Sequence, residues 1–322
     1  MTNNRGQQII ALEEHNSDQG LLELPVEQGG RSHSGRTLDR LMDFNEQRIK
    51  EMDESGIDIQ VLSQAAPSTQ RLNPTDAAEI TRGVNNRLFE SMKVNPDRFE
   101  AFAALPTIVP DAAADELDRC VSELGFKGAM IHGLTNGAFI DEQRFWPIFE
   151  RAEKLNVPIY LHPAAPHPDV VKAYYSDYAE KFPTILGPSW GYTVETATQG
   201  LRLILSGLFE KVPDVKIIIG HLGESLPFML WRIDQSINRP GGAGVAFRDI
   251  FCKNFYITTS GFFSDPAILC CLQEMGVEHV LFSVDWPFVE NKPGTDWMES
   301  ISLSTSDKEL ILNGNAKRIL NL

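Results

Sequence analysis

Eight short β-rich runs, each followed by a segment of helical period, recur from one end of this chain to the other. The strands are expected at 7–13, 57–63, 100–105, 126–132, 157–162, 215–220, 255–260 and 279–285. Alternation of this kind requires parallel strands joined by helical crossovers. Eight such units are what a (β/α)8 TIM barrel needs. A doubly wound open sheet is the alternative, but no strand leads into a GxGxxG or Walker loop. The expected fold is therefore an α/β barrel, and 322 residues suit a single domain spanning 1–322.

The intervening helices carry their own punctuation. Asn73-Pro74 gives an N-cap with proline at the first helical position, after which Ile80, Val84, Leu88 and Met92 recur every four residues. Asp111 to Leu124, closed by Gly125 as a C-cap, predicts a second helix. Glu142 to Leu155, Val194 to Phe209 and Asp307 to Leu320 show the same period. Two connections are long: Asn16 to Thr37 after the first strand, and Pro163 to Tyr192 after the fifth. The second carries Tyr174, Tyr175, Tyr178, Phe182, Trp190 and Tyr192. Long connections in a compact domain are lids or binding loops, and this one suits a subunit contact equally well.

Composition narrows the partners. Lys and Arg number 29 against 44 Asp and Glu, a net charge of −15 that argues against nucleic acid or an anionic membrane. No apolar run approaches membrane-spanning length, and MTNNRGQQ is neither a signal nor a transit peptide. Cys120, Cys252, Cys270 and Cys271 show no CxxC spacing and no disulfide framework, which suits a reducing compartment; a cytoplasmic location is expected.

His15, His162, His221 and Asp285 each stand at or just past the end of a strand-like run, where barrel active sites are built. In Glu13-Glu14-His15, residues two apart on an extended chain share a side, so Glu13 and His15 can address one ion while Glu14 faces away. Taken alone, that tripeptide also reads as a solvated acidic turn. His162 ends the apolar run Pro158-Ile159-Tyr160-Leu161, and Asp285 follows Leu281-Phe282-Ser283-Val284. Groups like these, once buried, need a partner or a metal. Glu13, His15, His162 and Asp285 together make a mixed N/O site for one divalent ion: Zn²⁺, Mn²⁺ or, less comfortably, Mg²⁺. Glu224, three residues after His221, can fix the imidazole tautomer or relay its proton. The fourth strand ends in His132 with no lysine, and Lys127 lies at its other end, so one metal is expected rather than two. His33, His167 and His279 receive no role. Phe288, His132, Trp190 and Arg232 are the candidate substrate contacts, Arg232 across a subunit interface. An ion pair with Asp234 is the structural alternative for Arg232.

The motifs ALEEH, AFAALP, YLHP, LGPSW, GHLGE, WRID, TTSG and FSVDWPF occur in order over nearly the whole chain. The sequence resembles amidohydrolase-superfamily decarboxylases of the aminocarboxymuconate semialdehyde decarboxylase branch, in particular the γ-resorcylate and 2,3-dihydroxybenzoate decarboxylases. That resemblance implies metal ligands at Glu13, His15, His162 and Asp285, proton handling by His221 and Glu224, and an aromatic pocket wall at Phe288. It implies a non-oxidative decarboxylase of a small hydroxybenzoate-like acid, the ion chelating carboxylate and ortho-hydroxyl. Asp285 would protonate the ring carbon with His221 and Glu224 assisting. A homodimer or homotetramer is implied as well. A mononuclear metal hydrolase or hydratase, acting on a lactone, ester, amide or unsaturated acid, is the alternative on the same scaffold. The sequence departs from the subgroup around the substrate: Asn16 follows His15, no Phe, Tyr or Trp appears again until Phe44, Phe262-Phe263 follow TTSG, and His132 replaces a common asparagine.

Overall fold

A computed structural model describes residues 7–28, 30, 33–242 and 244–322; the polar residues 1–6 and part of the loop expected at 16–37 lie outside these. The strands are β1 (Ile10–Asn16), β2 (Ile59–Gln64), β3 (Phe99–Ala101), β4 (Ala129–His132), β5 (Pro158–His162), β6 (Lys216–Ile219), β7 (Phe255–Thr258) and β8 (Val280–Leu281). Each consecutive pair is parallel, and helices fill the intervals, as the (β/α)8 expectation requires.

Regular ladders form two arcs, β1-β2-β3 and β4-β5-β6-β7-β8. Fewer bonds join the arcs. Between β3 and β4, Ala103 N–H donates to Gly128 O (2.8 Å) and Met130 N–H to Ala103 O (3.1 Å). Between β8 and β1, His15 N–H donates to Trp286 O (2.7 Å) and Glu13 N–H to Ser283 Oγ (2.7 Å).

Strand alternation divides the core. Ile10, Leu12, Val61, Phe102, Met130, Tyr160, Ile218 and Tyr256 fill the barrel interior, closed below by Ala316, Ile319 and Leu320 of the last helix. Ala11, Leu62, Ile131, Ile159, Ile217 and Ile257 face the helices instead and pack with Leu117, Phe149 and Leu203. Strands covered on both faces are buried throughout, which is why Lys216-Ile217-Ile218-Ile219 is nearly all aliphatic.

Several boundaries move. β3 is shorter than 100–105 because past Ala101 its pairing passes from β2, to which Phe102 N–H still donates at Leu62 O, to an isolated bridge between Ala103 and Ala129. β8 stops at Leu281 rather than 285, since Phe282 N–H turns to Ile311 O and the backbone leaves the ladder. The helix after Asn73 begins at Ala77, because Asn73 O first accepts from Asp76 and Ala77 in a turn. Pro110–Leu124 ends at Gly125 with φ 76°, the left-handed C-cap the sequence required. The helix expected at 194–209 runs from Gly191 to Leu205 and breaks at Gly207, φ 86°. The long segment after β5 holds short helical pieces at Pro168–Val170, Ser176–Ala179 and Pro183–Leu186, so it is a structured roof rather than an open loop. Among the described residues, no helix is long and apolar enough to cross a membrane.

Candidate metal centre

β1 carries an irregularity that aims its polar residues. Ala11 pairs with Gln60 and Glu14 with Leu62, so two residues, Leu12 and Glu13, oppose the single Val61. A bulge of this kind bends a strand and re-aims side chains, commonly beside active sites. Glu13 therefore follows Leu12 into the barrel. His15 returns to the same side and Glu14 turns outward.

The four expected ligands converge. One ligand atom from each of Glu13, His15, His162 and Asp285 lies within 4.8 Å of all the others. His162 Nε2 is 3.1 Å from Glu13 Oε1, and His15 Nε2 is 3.2 Å from Asp285 Oδ1. Glu13 Oε1, His15 Nε2 and Asp285 Oδ1 are buried atoms with no hydrogen-bond partner among the described residues. Leaving such atoms unpaired is costly. Three orphaned donors of electron pairs facing one point are what a divalent cation satisfies, so the residues present fit a metal.

The surroundings fix each candidate ligand. Glu13 Oε2 accepts from the Tyr160 and Ser260 hydroxyls, and from Thr258 Oγ1 at 3.3 Å, which leaves Oε1 for the centre. A Cβ on Gly220 would lie 2.6 Å from Glu13 Oε2, so only glycine admits the carboxylate here. His15 Nδ1 meets Ser63 Oγ at 3.0 Å. His162 Nδ1 lies 2.8 Å from Pro163 O and 2.9 Å from His132 Nδ1. With their Nδ1 atoms engaged, both imidazoles present Nε2 inward. Asp285 sits four residues past β8 in a left-handed conformation, φ 75°. Outside the barrel wall, Glu14 accepts from the backbone N–H groups of Val284 (2.9 Å) and Trp286 (3.1 Å).

Charge is distributed unevenly. Burial opposes ionisation of Glu13, but His221, His162 and His15 hold its carboxyl well below the usual range. Burial lowers His15 against the pull of Asp285, and drives His132 far down, so both are neutral imidazoles suited to accept or to ligate. His221 goes the other way: burial works against its charge, yet Glu224 and Glu13 raise it well above the ordinary histidine value. Burial pushes Glu14 up to about 8, although the Val284 and Trp286 N–H groups favour its ionised form.

His221 Nδ1 is 2.7 Å from Glu224 Oε1, and its Nε2 is 3.9 Å from both Glu13 Oε1 and Asp285 Oδ2. It stands beside the ligand cluster without belonging to it. His221, Leu222, Glu224 and Ser225 all have φ between 49° and 68°. Non-glycine residues in this region cost of order 1–3 kcal/mol each and persist where surrounding structure enforces them.

A cavity of about 430 Å³ opens over the centre, lined by His162, His221, Asp285, Phe288, Tyr192, Arg71 and His33 among others. The Phe288 ring is 5.6 Å from that of His15. A second cavity of about 410 Å³ shares Pro188, Tyr192, His221 and Asp285 with the first and adds Trp190, Glu224 and Ser260. Among the expected substrate contacts, Phe288 lines the first cavity and Trp190 the second. His132 lines neither; it is 2% exposed and meets His162 instead. Arg232 is exposed on helix Leu226–Ile237, outside both cavities, and Asp234 bonds Asn238 and the Arg248 N–H rather than Arg232.

Residue-by-residue reading of the sequence gave no site role to Tyr160, Ser63, Thr258 and Ser260 around the candidate ligands, or to Arg71 and His33 in the cavity, while Tyr192 was marked only as part of the aromatic segment after β5. Tyr160 was findable, since it precedes His162 by two in a strand and shares its face. Ser63, Arg71 and His33 come from elements distant in sequence, and nothing local marks them.

The Amidohydrolase family profile matches residues 24–322. Gamma-resorcylate decarboxylase of Polaromonas sp. (strain JS666) is 40% identical over 297 residues, covering 88% of this chain and 89% of that one. The crystal structure of 2,6-dihydroxybenzoate decarboxylase complexed with 2,6-dihydroxybenzoate superposes with a TM-score of 0.88 at 39% identity, covering 98% of this chain and 100% of that one. That of dihydroxybenzoic acid decarboxylase from Polaromonas sp. JS666, with bound manganese and the inhibitor 2-nitroresorcinol, gives 0.88 at 38%, covering 98% and 97%. Likeness at this level and over most of the chain makes it a member of the amidohydrolase family, on the branch that holds the hydroxybenzoate decarboxylases.

Proposed function

We propose that this chain is a metal-dependent decarboxylase, a carbon–carbon lyase acting as one domain on a small hydroxybenzoate-like acid. The observation that carries this reading is the convergence of four ligand atoms within 4.8 Å at the base of a cavity, with His221 and Glu224 alongside. One divalent ion held by Glu13, His15, His162 and Asp285 would supply Lewis acidity, screening the substrate carboxylate and orienting its ortho-hydroxyl. Mn²⁺ is the first choice because a dihydroxybenzoic acid decarboxylase of this fold is seen with it; Zn²⁺ suits the same donors, and Mg²⁺ suits them less comfortably.

The residues divide the work. Phe288 walls the ring on the His15 side, and Ala66, Pro67, Ala164 and Pro188 add apolar lining to the same cavity. Asp285 turns Oδ1 toward His15 and Oδ2 toward His221. Asp285 then gives a proton to the ring carbon that bears the carboxylate. The carbon–carbon bond breaks, its electron pair restores the aromatic ring, and CO₂ leaves. Asp285 draws that proton from His221, which Glu224 holds charged, and His221 takes a replacement proton from water, so each turnover consumes one solvent proton.

Exposed Phe228 and Trp231 beside Arg232 support a homodimer or homotetramer in which Arg232 reaches a neighbouring site. The four free cysteines support a cytoplasmic location. The deciding experiment is metal analysis of the purified protein together with CO₂ release from a panel of ortho-hydroxybenzoates. About one divalent ion per chain with CO₂ release is the expected result. Metal without CO₂ from any member would transfer the reading to hydrolysis, and absence of metal after loading would overturn the ligand set.

A further inference from the structure

Glu14 is fully buried, yet it faces neither cavity. Its two oxygens are used separately. Oε1 accepts from Val284 N–H (2.9 Å) and Ser283 Oγ (3.4 Å), while Oε2 accepts from Trp286 N–H (3.1 Å) and Gln60 Nε2 (3.5 Å). The two backbone donors belong to the residues on either side of Asp285, whose φ of 75° is a conformation an aspartate rarely holds unaided. Ladder pairing has already ended at Leu281, so these bonds stand in for it.

Behind Glu14 lies Arg48, with no exposed surface. It donates to the His15 carbonyl (2.7 Å) and to Gln60 Oε1 (3.2 Å), and its guanidinium carbon sits 3.9 Å from the centroid of the Trp286 ring. One buried unit thus grips the backbone of His15 on β1 and the segment carrying Asp285 past β8. We propose that Glu14 is a positioning residue for the metal centre: by gripping the peptides on both sides of Asp285 it holds that carboxylate turned toward His15 and the ion.

Two backbone N–H groups need two accepting oxygens, and a glutamate side chain supplies both. Glutamine keeps the size but offers one oxygen and one NH₂, so one backbone donor would face another donor. Removing a partner that orients a ligand typically costs 10–100-fold in metal affinity.

The inference rests on Asp285 being a ligand, and the test separates the two. Mn²⁺ affinity is measured for the full chain, for Glu14→Gln, for Asp285→Asn and for the double variant, with the Mn²⁺ EPR spectrum recorded for each. Glu14→Gln is expected to bind Mn²⁺ roughly 10–100-fold more weakly, with an altered spectrum, and to add nothing in the Asp285→Asn background. Wild-type affinity in Glu14→Gln, or losses that multiply in the double variant, would overturn the positioning role. Wild-type affinity in Asp285→Asn would overturn the ligand assignment instead. Should Glu14→Gln not fold, Glu14→Asp, which keeps both oxygens but withdraws them from the two N–H groups, is read in its place: a several-fold loss supports the role and an unchanged affinity overturns it.

Discussion

His221 and Asp285 divide the proton work in the proposed reaction, and each variant has its own signature. Asp285→Asn keeps the size but removes a titratable ligand; CO₂ release is expected to vanish while the far-ultraviolet CD spectrum stays unchanged. His221→Ala should lower kcat by about 10²–10⁴, the usual yield of a positioned acid or base, with metal content preserved. Loss of metal in that variant would make His221 a ligand. Since Glu224 and Glu13 raise His221 above its ordinary value, its charged form persists through neutral pH and is lost as pH climbs past the raised value. The wild-type rate is therefore expected to decline on the alkaline side, and a kcat–pH profile of His221→Ala should lack that limb.

The helix Ala77–Met92 meets the helix Pro110–Leu124 through a buried polar knot. Glu116, 7% exposed, accepts from Asn85 Nδ2 at 2.8 Å and from Arg119 at 2.7 and 2.9 Å. Burial opposes its charge, but Arg119 and Asn85 hold the carboxyl below the usual range. A group with a depressed folded value stabilises the native state above its unfolded pKa, and that contribution fades as pH falls through the folded value. Glu116→Gln is thus expected to cost about 1–3 kcal/mol near neutrality and less in acid, read from denaturant midpoints at several pH values. Elements of this kind were legible where periodicity and caps agree, as at Gly125. The β1 bulge was not, because two residues opposing one leaves no mark on hydrophobic period. Nor was the end of β8: Leu281-Phe282-Ser283-Val284 carries no turn residue, and the pull of Ile311 on Phe282 takes the backbone out of the ladder.

Across the whole molecule, the candidate ligands are shared between the two arcs: Glu13 and His15 come from β1, His162 from β5, and Asp285 from beyond β8. An ion bound there would stabilise only the assembled state, by about 2.7 kcal/mol at 100 times its Kd. The melting temperature is expected to rise with Mn²⁺ and to fall with a chelator, checked by calorimetry; an indifferent melting curve would contradict a site shared in this way. The ring of eight strands and its strand-end residues were legible because the strands are short apolar runs and most are closed by a polar residue. Its division into arcs was not, since a seam is a property of neighbours and not of any one segment.

That division has a dynamic meaning. β5 and β6 have ladder partners on both sides, whereas β3 and β8 each end an arc. In hydrogen-exchange terms the slowest amides belong in β5 and β6, and opening begins at the edges. The candidate ligands would then span a seam that the buried Glu14 and Arg48 have to keep closed, which ties the holding of the ion to the slowness of that edge to open.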